Sequence, residues 1–372
     1  MRAGRVLQAM VACALLLSAC RYRAPETILV GALIPLTGAS SSEGEYARNG
    51  VGLAVTEINS AGGVNGVPLR VIYEDSKSNV GEGVSAYQKL LASDHVVATL
   101  GTLNPVMVEA VSLANRAESV LINCGAQDAR IRRDAGSYAF SLVPDAVDEA
   151  RAMAAAAYDQ MHLTTASTMY LENDFGRTAT VAFADEFRRR GGHIVHEEMV
   201  DKNKDEMAAS IARVRAGTPA AMFVTAPSRT VLRALEEASA TKLTTHWLTD
   251  SSFELDGVGR AAGRAADGVV YTALAPFSSA SASAQPFVAA YRTRFGFDPE
   301  LRAATFYDGV YALKAAIELA GGHAPKDIAR GMRLFSREGV TGRQDFKETL
   351  SLLRPLERRT MNRGRITVVS PR

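Results

Sequence analysis

Short apolar runs rich in β-branched residues recur along this chain, separated by longer amphipathic stretches. Ile28–Pro35, Leu69–Tyr73, Val96–Gly101 and Val120–Cys124 have the length and composition of buried strands. Between the first two, Val51, Val55 and Ile58 fall at i, i+4 and i+7, which predicts a helix over Asn49–Ala61. Gly62-Gly63 stops it, and Asn65-Gly66 turns the chain into the next strand. A second series repeats the rhythm. Ala166–Leu171, Ile194–Val200, Ala220–Thr225, Thr245–Thr249 and Gly268–Thr272 read as strands, with helices predicted at Asp174–Arg190, Asp205–Ala216 and Ser228–Thr241. Strand–helix alternation implies parallel sheets with helices on both faces, an α/β fold. After Thr272 the pattern changes. Ser278–Ser283 is a polar turn, Gln285–Phe295 and Thr305–Ala320 read as helices, and Arg365–Val369 as a last strand.

The first twenty residues do not belong to that alternation. Arg2 and Arg5 precede an apolar run from Val6 to Leu17, too short for the ~20 residues that span a bilayer. A basic head, a short apolar core and small residues before a cleavage point form a secretory signal over residues 1–19. Leu17-Ser18-Ala19-Cys20 resembles the lipobox of bacterial lipoproteins, where the cysteine takes a diacylglycerol. The expectation is an exported protein beginning at Cys20, with residues 20–26 as a lipid-anchored linker. Arg21 after that cysteine favours the outer membrane where one exists.

Charge and cysteine content narrow the function. The chain has 42 Lys+Arg against 40 Asp+Glu, and two of the arginines lie in the signal. A balance near zero supplies no general attraction for nucleic acid. The Arg188-Arg189-Arg190 run sits where a helix ends before Gly191-Gly192, and cations favour that end of the dipole. Of three cysteines, Cys13 lies in the signal and Cys20 takes lipid, so only Cys124 remains and no internal disulfide forms. It reads as a buried thiol at a strand end. No P-loop, strand-linked GxGxxG or G-x-S-x-G elbow occurs, and no cofactor is expected. His193 and His196 are three apart on a strand, so they point to opposite faces and do not chelate together. These absences argue against an enzyme.

Several segments, in order, resemble the type I periplasmic solute-binding proteins of the branched-chain amino acid transporter family. They are VGALIPLTG at Val30–Gly38, EINSAGGVNG at Glu57–Gly66, VIYED at Val71–Asp75, ENDFG at Glu172–Gly176, FYDGVYA at Phe306–Ala312, and Val340-Thr341-Gly342 with Phe346. The resemblance implies two Rossmann-like lobes joined by three crossovers, with a ligand cleft between them. Lobe one would comprise residues 27–142 and 273–339, and lobe two residues 143–272 and 340–372. It further implies a monomer that captures an amino acid or related compound by hinge closure and delivers it to an ABC transporter permease. A sensory ligand-binding protein, or an envelope lipoprotein with a degenerate pocket, are the alternatives.

Carried over residue by residue, the family's binding positions are altered. Its "GP-x-x-S" after the third strand is Gly101-Thr102-Leu103-Asn104-Pro105 here, so Thr102 or Asn104 must substitute for the serine. Its "S-A-T" after the fourth strand is Gly125-Ala126-Gln127, and its tyrosine before glycine is Phe175. Asp250 would meet a ligand amine, with Ser251 the choice one residue on; Asp250 equally suits a helix N-cap before Phe253. Two changed carboxylate-gripping positions leave a modified amino acid, an amide, a urea-like compound or an aromatic compound as open as an aliphatic amino acid.

Overall fold

The computed structural model describes residues 27–201, 206–257, 263–273, 284–347, 350 and 356–369. Five strands, β1 (Ile28–Ile34), β2 (Leu69–Asp75), β3 (Ala98–Gly101), β4 (Val120–Asn123) and β5 (Ala139–Ser141), form a wholly parallel sheet in the order β2-β1-β3-β4-β5. Nearly every side chain of β1, β3 and β4 is buried, as continuous apolar runs in a doubly covered sheet require. One face packs on helices Ser41–Ser60, Ala284–Phe295, Leu301–Ala320 and Pro325–Leu334, the other on Val80–Ala92 and Asn104–Arg116.

A second sheet contains β6 (Thr165–Leu171), β7 (His193–Val200), β8 (Ala221–Thr225), β9 (His246–Thr249) and β10 (Val270–Ala273), all parallel. Two antiparallel strands, β13 (Glu357–Asn362) and β14 (Arg365–Val368), extend it beyond β10. Helices Ala146–Asp159 and Asp174–Arg189 cover one face, Met207–Ala216 and Ser228–Ala240 the other. The fold is therefore α/β with two doubly wound lobes. No helix among the described residues is long and apolar enough to cross a membrane.

The strand orders fix where a ligand goes. In the first sheet the chain starts in the middle, runs out to β2, then restarts on the other side at β3. In the second it starts at β6, runs to β7, then restarts at β8. The crevice beyond the carboxyl ends of strands at such a reversal is where open α/β sheets bind ligands.

The chain passes from the first lobe to the second after β5, returns after β10, and crosses again before β13. The last crossing comes later than residue 340. Val340 and Phe346 are buried in the first lobe's core, and Phe346 packs its ring against Phe140 and Phe335. A short hairpin, β11 (Ser336–Gly339) with β12 (Gly342–Asp345), carries them there. Residues 340–346 thus belong with the first lobe, because two aromatic contacts outweigh the resemblance that put the boundary at 340.

Several first-lobe motifs acquire physical roles. Asn59 donates to Leu69 O at 2.9 Å and accepts from Leu69 N at 2.8 Å, tying its helix to β2. Glu57 accepts from the Tyr307 and Tyr311 hydroxyls. Asp75 accepts from Leu36 N, Thr37 N and Oγ1, and Lys77 N, and so shapes the loop after β1. The helix over Ser41–Ser60 starts eight residues before the predicted Asn49. Its early turns bury glycine instead of large apolar groups: a Cβ on Gly44 would lie 1.9 Å from Pro35 O, and one on Gly50 2.1 Å from Ala303 O. The predicted signal, Cys20 and the Ser278–Ser283 turn lie outside the described residues.

Candidate functional site

Both reversal points open onto one cavity of about 770 Å3 between the lobes. The first lobe contributes Ala39 and Ser40 after β1, Thr102–Pro105 after β3, and Gly125 and Gln127 after β4. The second contributes Asn173–Phe175 after β6, Thr225–Pro227 after β8, and Ser252 after β9. That volume suits a small molecule.

Of the residues singled out in the sequence, Thr102, Asn104, Gly125, Gln127 and Phe175 line the cavity. Their chemistry differs from what the resemblance implies. The Asn104 oxygen accepts from Gln127 N at 2.6 Å and Asp128 N at 3.1 Å. Asn123 Oδ1 accepts from Gly125 N at 3.1 Å and Ala126 N at 2.8 Å. The backbone donors from Gly125 to Asp128 are all consumed by side-chain oxygens, so this loop has none to offer a ligand carboxylate. Pro105 occupies the first turn of helix Asn104–Arg116, where a missing N–H costs nothing.

Three predicted residues stand behind the wall. Ala126 packs into the first lobe's core. Asp250 is buried and accepts from Ser252 N at 3.0 Å and Ser252 Oγ at 2.5 Å, heading a short 3-10 turn over Ser251–Gly257. That geometry is the N-cap alternative, and it occupies Oδ1 while the buried Oδ2 has no partner among the described residues. Ser251 belongs to a buried cluster around Glu149, a residue the sequence did not single out. Glu149 accepts from Ser251 N (2.8 Å), Ser251 Oγ (2.8 Å), Thr272 Oγ1 (2.6 Å) and Gln127 Nε2. Gln127 also donates to Ser251 Oγ at 3.2 Å. The Gln127 amide thus links the lobes beside two of their crossings instead of projecting at a ligand. Burial first, then the nearby Asp250 charge, pushes the Glu149 carboxyl up to about 7, and burial raises Asp250 too.

The sequence also missed Arg302, Glu43 and Thr225. Arg302 starts helix Leu301–Ala320 and reaches under helix Ser41–Ser60, where its Nε donates to Glu43 Oε2 at 2.8 Å. The close approach of those helices at Gly50 and Ala303 makes this reach possible. The guanidinium then lies against Gly125: a Cβ there would be 2.8 Å from its Cζ and Nη1. A charged residue one turn from an apolar stripe carries no distinctive sequence signal. At the mouth, Arg130 pairs with Asp128 at 2.7 Å and approaches Asp174 of the opposite lobe at 3.7 Å.

Other candidates resolve as structural. Cys124 is fully buried, and burial pushes its thiol up, away from nucleophilic use. His196 pairs with Glu198 at 2.8 Å, and no cluster able to hold a metal occurs among the described residues. Arg188, Arg189 and Arg190 are engaged by Glu197, Glu186 and Asp159.

Comparison with known proteins agrees with this architecture. The Leu/Ile/Val-binding protein homolog 1 of Brucella abortus (strain 2308) is 23% identical over 313 residues, 82% of each chain. A branched-chain amino acid transporter substrate binding protein from Streptococcus pneumoniae, solved with isoleucine, superposes with TM-score 0.83 at 23% identity. It covers 93% of this chain and 100% of that one. An ABC transporter solute binding protein from R. palustris, solved with benzoate, also gives 0.83 at 20% identity, covering 92% and 96%. Residues 27–356 match the periplasmic binding protein family model, whose members bind solutes and are not enzymes. With two doubly wound lobes lining one cavity and a match along most of its length, this chain belongs to the periplasmic binding protein family.

Proposed function

We propose that this protein is an extracytoplasmic solute receptor. It captures a small polar ligand between its lobes by hinge closure and hands it to an ABC transporter permease. Lipid on Cys20 holds it at the membrane, with Arg21 favouring the outer one. The observation that carries the reading is the cavity of about 770 Å3 at the two strand-order reversals, lined by both lobes. Hinge closure is the natural way for two lobes joined by crossings to bury a ligand. Relatives solved with isoleucine and with benzoate mark the range of ligand this frame accepts.

A thermal-shift panel of amino acids, amides, aliphatic acids and aromatic acids tests the receptor role. A ligand at 100 times its dissociation constant stabilises the folded state by about 2.7 kcal/mol, a visible rise in Tm. Silence across the panel would replace the receptor with a partner-binding envelope lipoprotein.

A further inference from the structure

Three facts about the cavity wall decide what charge its ligand carries. The first is the state of Arg302, whose side chain is only 7% exposed. Its single protein bond is Nε to Glu43, and its terminal nitrogens have no acceptor among the described residues. Nη1 and Cζ lie at the bare Cα of Gly125, where any side chain would displace them. The second is Thr102, buried and lining the cavity, whose Oγ1 has no hydrogen-bond partner. It lies at the same bare spot: the Cβ that would touch the guanidinium would also lie 2.6 Å from Thr102 Oγ1. Across the cavity, the buried Thr225 Oγ1 is likewise unpartnered. A buried polar group without a partner is costly, and a ligand is the group that would satisfy it.

The third fact concerns the acids of the wall. Glu43 is tied to Arg302, Asp128 to Arg130, and Asp174 to Arg177 at 2.7 Å. Glu149 stands behind the wall in its own hydrogen-bond cluster. Asp250 also lies outside the lining, bound through Oδ1 to Ser252 while its buried Oδ2 has no partner among the described residues. Every carboxylate lining the cavity is therefore engaged by an arginine, while Arg229 on the second lobe has no ion pair among the described residues. An ammonium group entering this cleft would have to compete with an arginine for each carboxylate of the lining. A carboxylate would find a preplaced guanidinium, whose planar fork matches two oxygens at once.

We propose that Arg302, with the Thr102 hydroxyl beside it, is the anion-holding group of the cleft, and that the ligand is a monocarboxylate without an α-amine. This rests on the receptor reading above and names its substrate class. The guanidinium takes over the task that backbone donors after β4 cannot perform, since Asn104 and Asn123 have consumed them. Phe175 and the apolar parts of the wall then receive the rest of the ligand.

Calorimetric titration of the purified protein with four probes tests the assignment. 4-Methylpentanoate and L-leucine differ only in the amine; benzoate and benzamide differ in the charge. The expected result is binding of at least one carboxylate, at least tenfold tighter than its amine-bearing or uncharged counterpart. Arg302→Gln should weaken that carboxylate at least tenfold. Because that change strands Glu43, the double variant Glu43→Gln/Arg302→Gln is made beside it and should show the same loss. If neither arginine variant folds, Thr102→Val decides, with an expected loss of at least threefold. L-Leucine or benzamide binding as tightly as its counterpart, or undiminished carboxylate binding in these variants, overturns the inference and leaves a receptor for another ligand class. Silence from all four probes also overturns it. The wider thermal-shift panel then shows whether the receptor reading falls with it.

Discussion

Glu149 is the residue whose surroundings ask most of it. It is wholly buried beside Asp250, with four donors but no cation against it. Its folded pKa of about 7 lies above the ordinary 4.5. Below about pH 4.5 both folded and unfolded forms hold the proton, so no stability is lost there. Between 4.5 and 7 the unfolded chain ionises freely while the native carboxyl resists, and stability falls as pH rises. Glu149→Gln has no proton to lose, so its Tm relative to wild type should climb steadily from pH 4.5 to 7.5. A constant difference across that range would show that the four donors hold Glu149 ionised throughout. Gly125 makes a second demand on a single residue. Gly125→Ala must push either Arg302 or the Thr102 hydroxyl aside. The expected cost is about 1–3 kcal/mol in chemical denaturation, together with weaker binding of whatever ligand the thermal-shift panel identifies. Neither demand shows in the sequence, where Glu149 is one acid in an Ala-rich helix and Gly125 one glycine after a strand.

At the scale of elements, the legible pieces were those whose partners are solvent-free sheet faces. β1, β4 and β8 announce themselves because both faces are covered, which leaves uninterrupted apolar runs. β13 did not, since its sequence ERRTMN is mostly polar. It exists as a strand because it pairs with β10, and Arg359 is buried there against Glu254, 105 residues away, at 2.7 Å, a contact between distant segments that no local pattern reveals. Helix Leu301–Ala320 shows the same limit. Its FYDGVYA motif was visible, but the work of its aspartate was not. Asp308 is fully buried and accepts from Val340 N (2.9 Å), Thr341 N (2.9 Å) and Thr341 Oγ1 (2.5 Å), holding the hairpin that precedes the last crossing. Asp308→Ala removes the acceptor that three buried donors share. It should cost about 2–4 kcal/mol, given about 1–3 kcal/mol for each group stranded and partial rescue by water. Urea denaturation reads the loss directly, and a cost below 1 kcal/mol would mean that the hairpin is held by Phe346 alone.

Across the whole molecule, strand–helix alternation sufficed to give the α/β class, but not the meeting of two reversal points in one cavity, which depends on contacts between segments remote in sequence. Among the described residues, the lobes meet both beside the crossings and at the mouth of the cleft. Near the crossings the links are the buried Gln127–Glu149–Ser251 cluster and the Arg132 pairs with Asp145 at 2.7 Å and Asp148 at 2.6 Å, which persist through any closing motion small enough to leave those side chains packed. At the mouth the link is Arg130 facing Asp174 at 3.7 Å, with side chains 38% and 59% exposed. A motion that hinges at the first contact moves the second most, so the mouth pair is where closure gains or loses charge contact. Exposed pairs contribute only about 0.2–1 kcal/mol, and Arg130 and Asp174 each keep another partner, Asp128 and Arg177. Asp174→Asn should therefore weaken ligand binding no more than about fivefold at low ionic strength, the equivalent of 1 kcal/mol. The loss should appear in a faster off-rate, since opening is what the pair resists. At 1 M salt, where charges are screened beyond about 3 Å, it should vanish. Stopped-flow release of the ligand from both proteins at low and high salt separates the cases. A loss above tenfold that survives 1 M salt would mean that closure buries the pair, and that the mouth of the cleft seals more tightly than its exposed charges indicate.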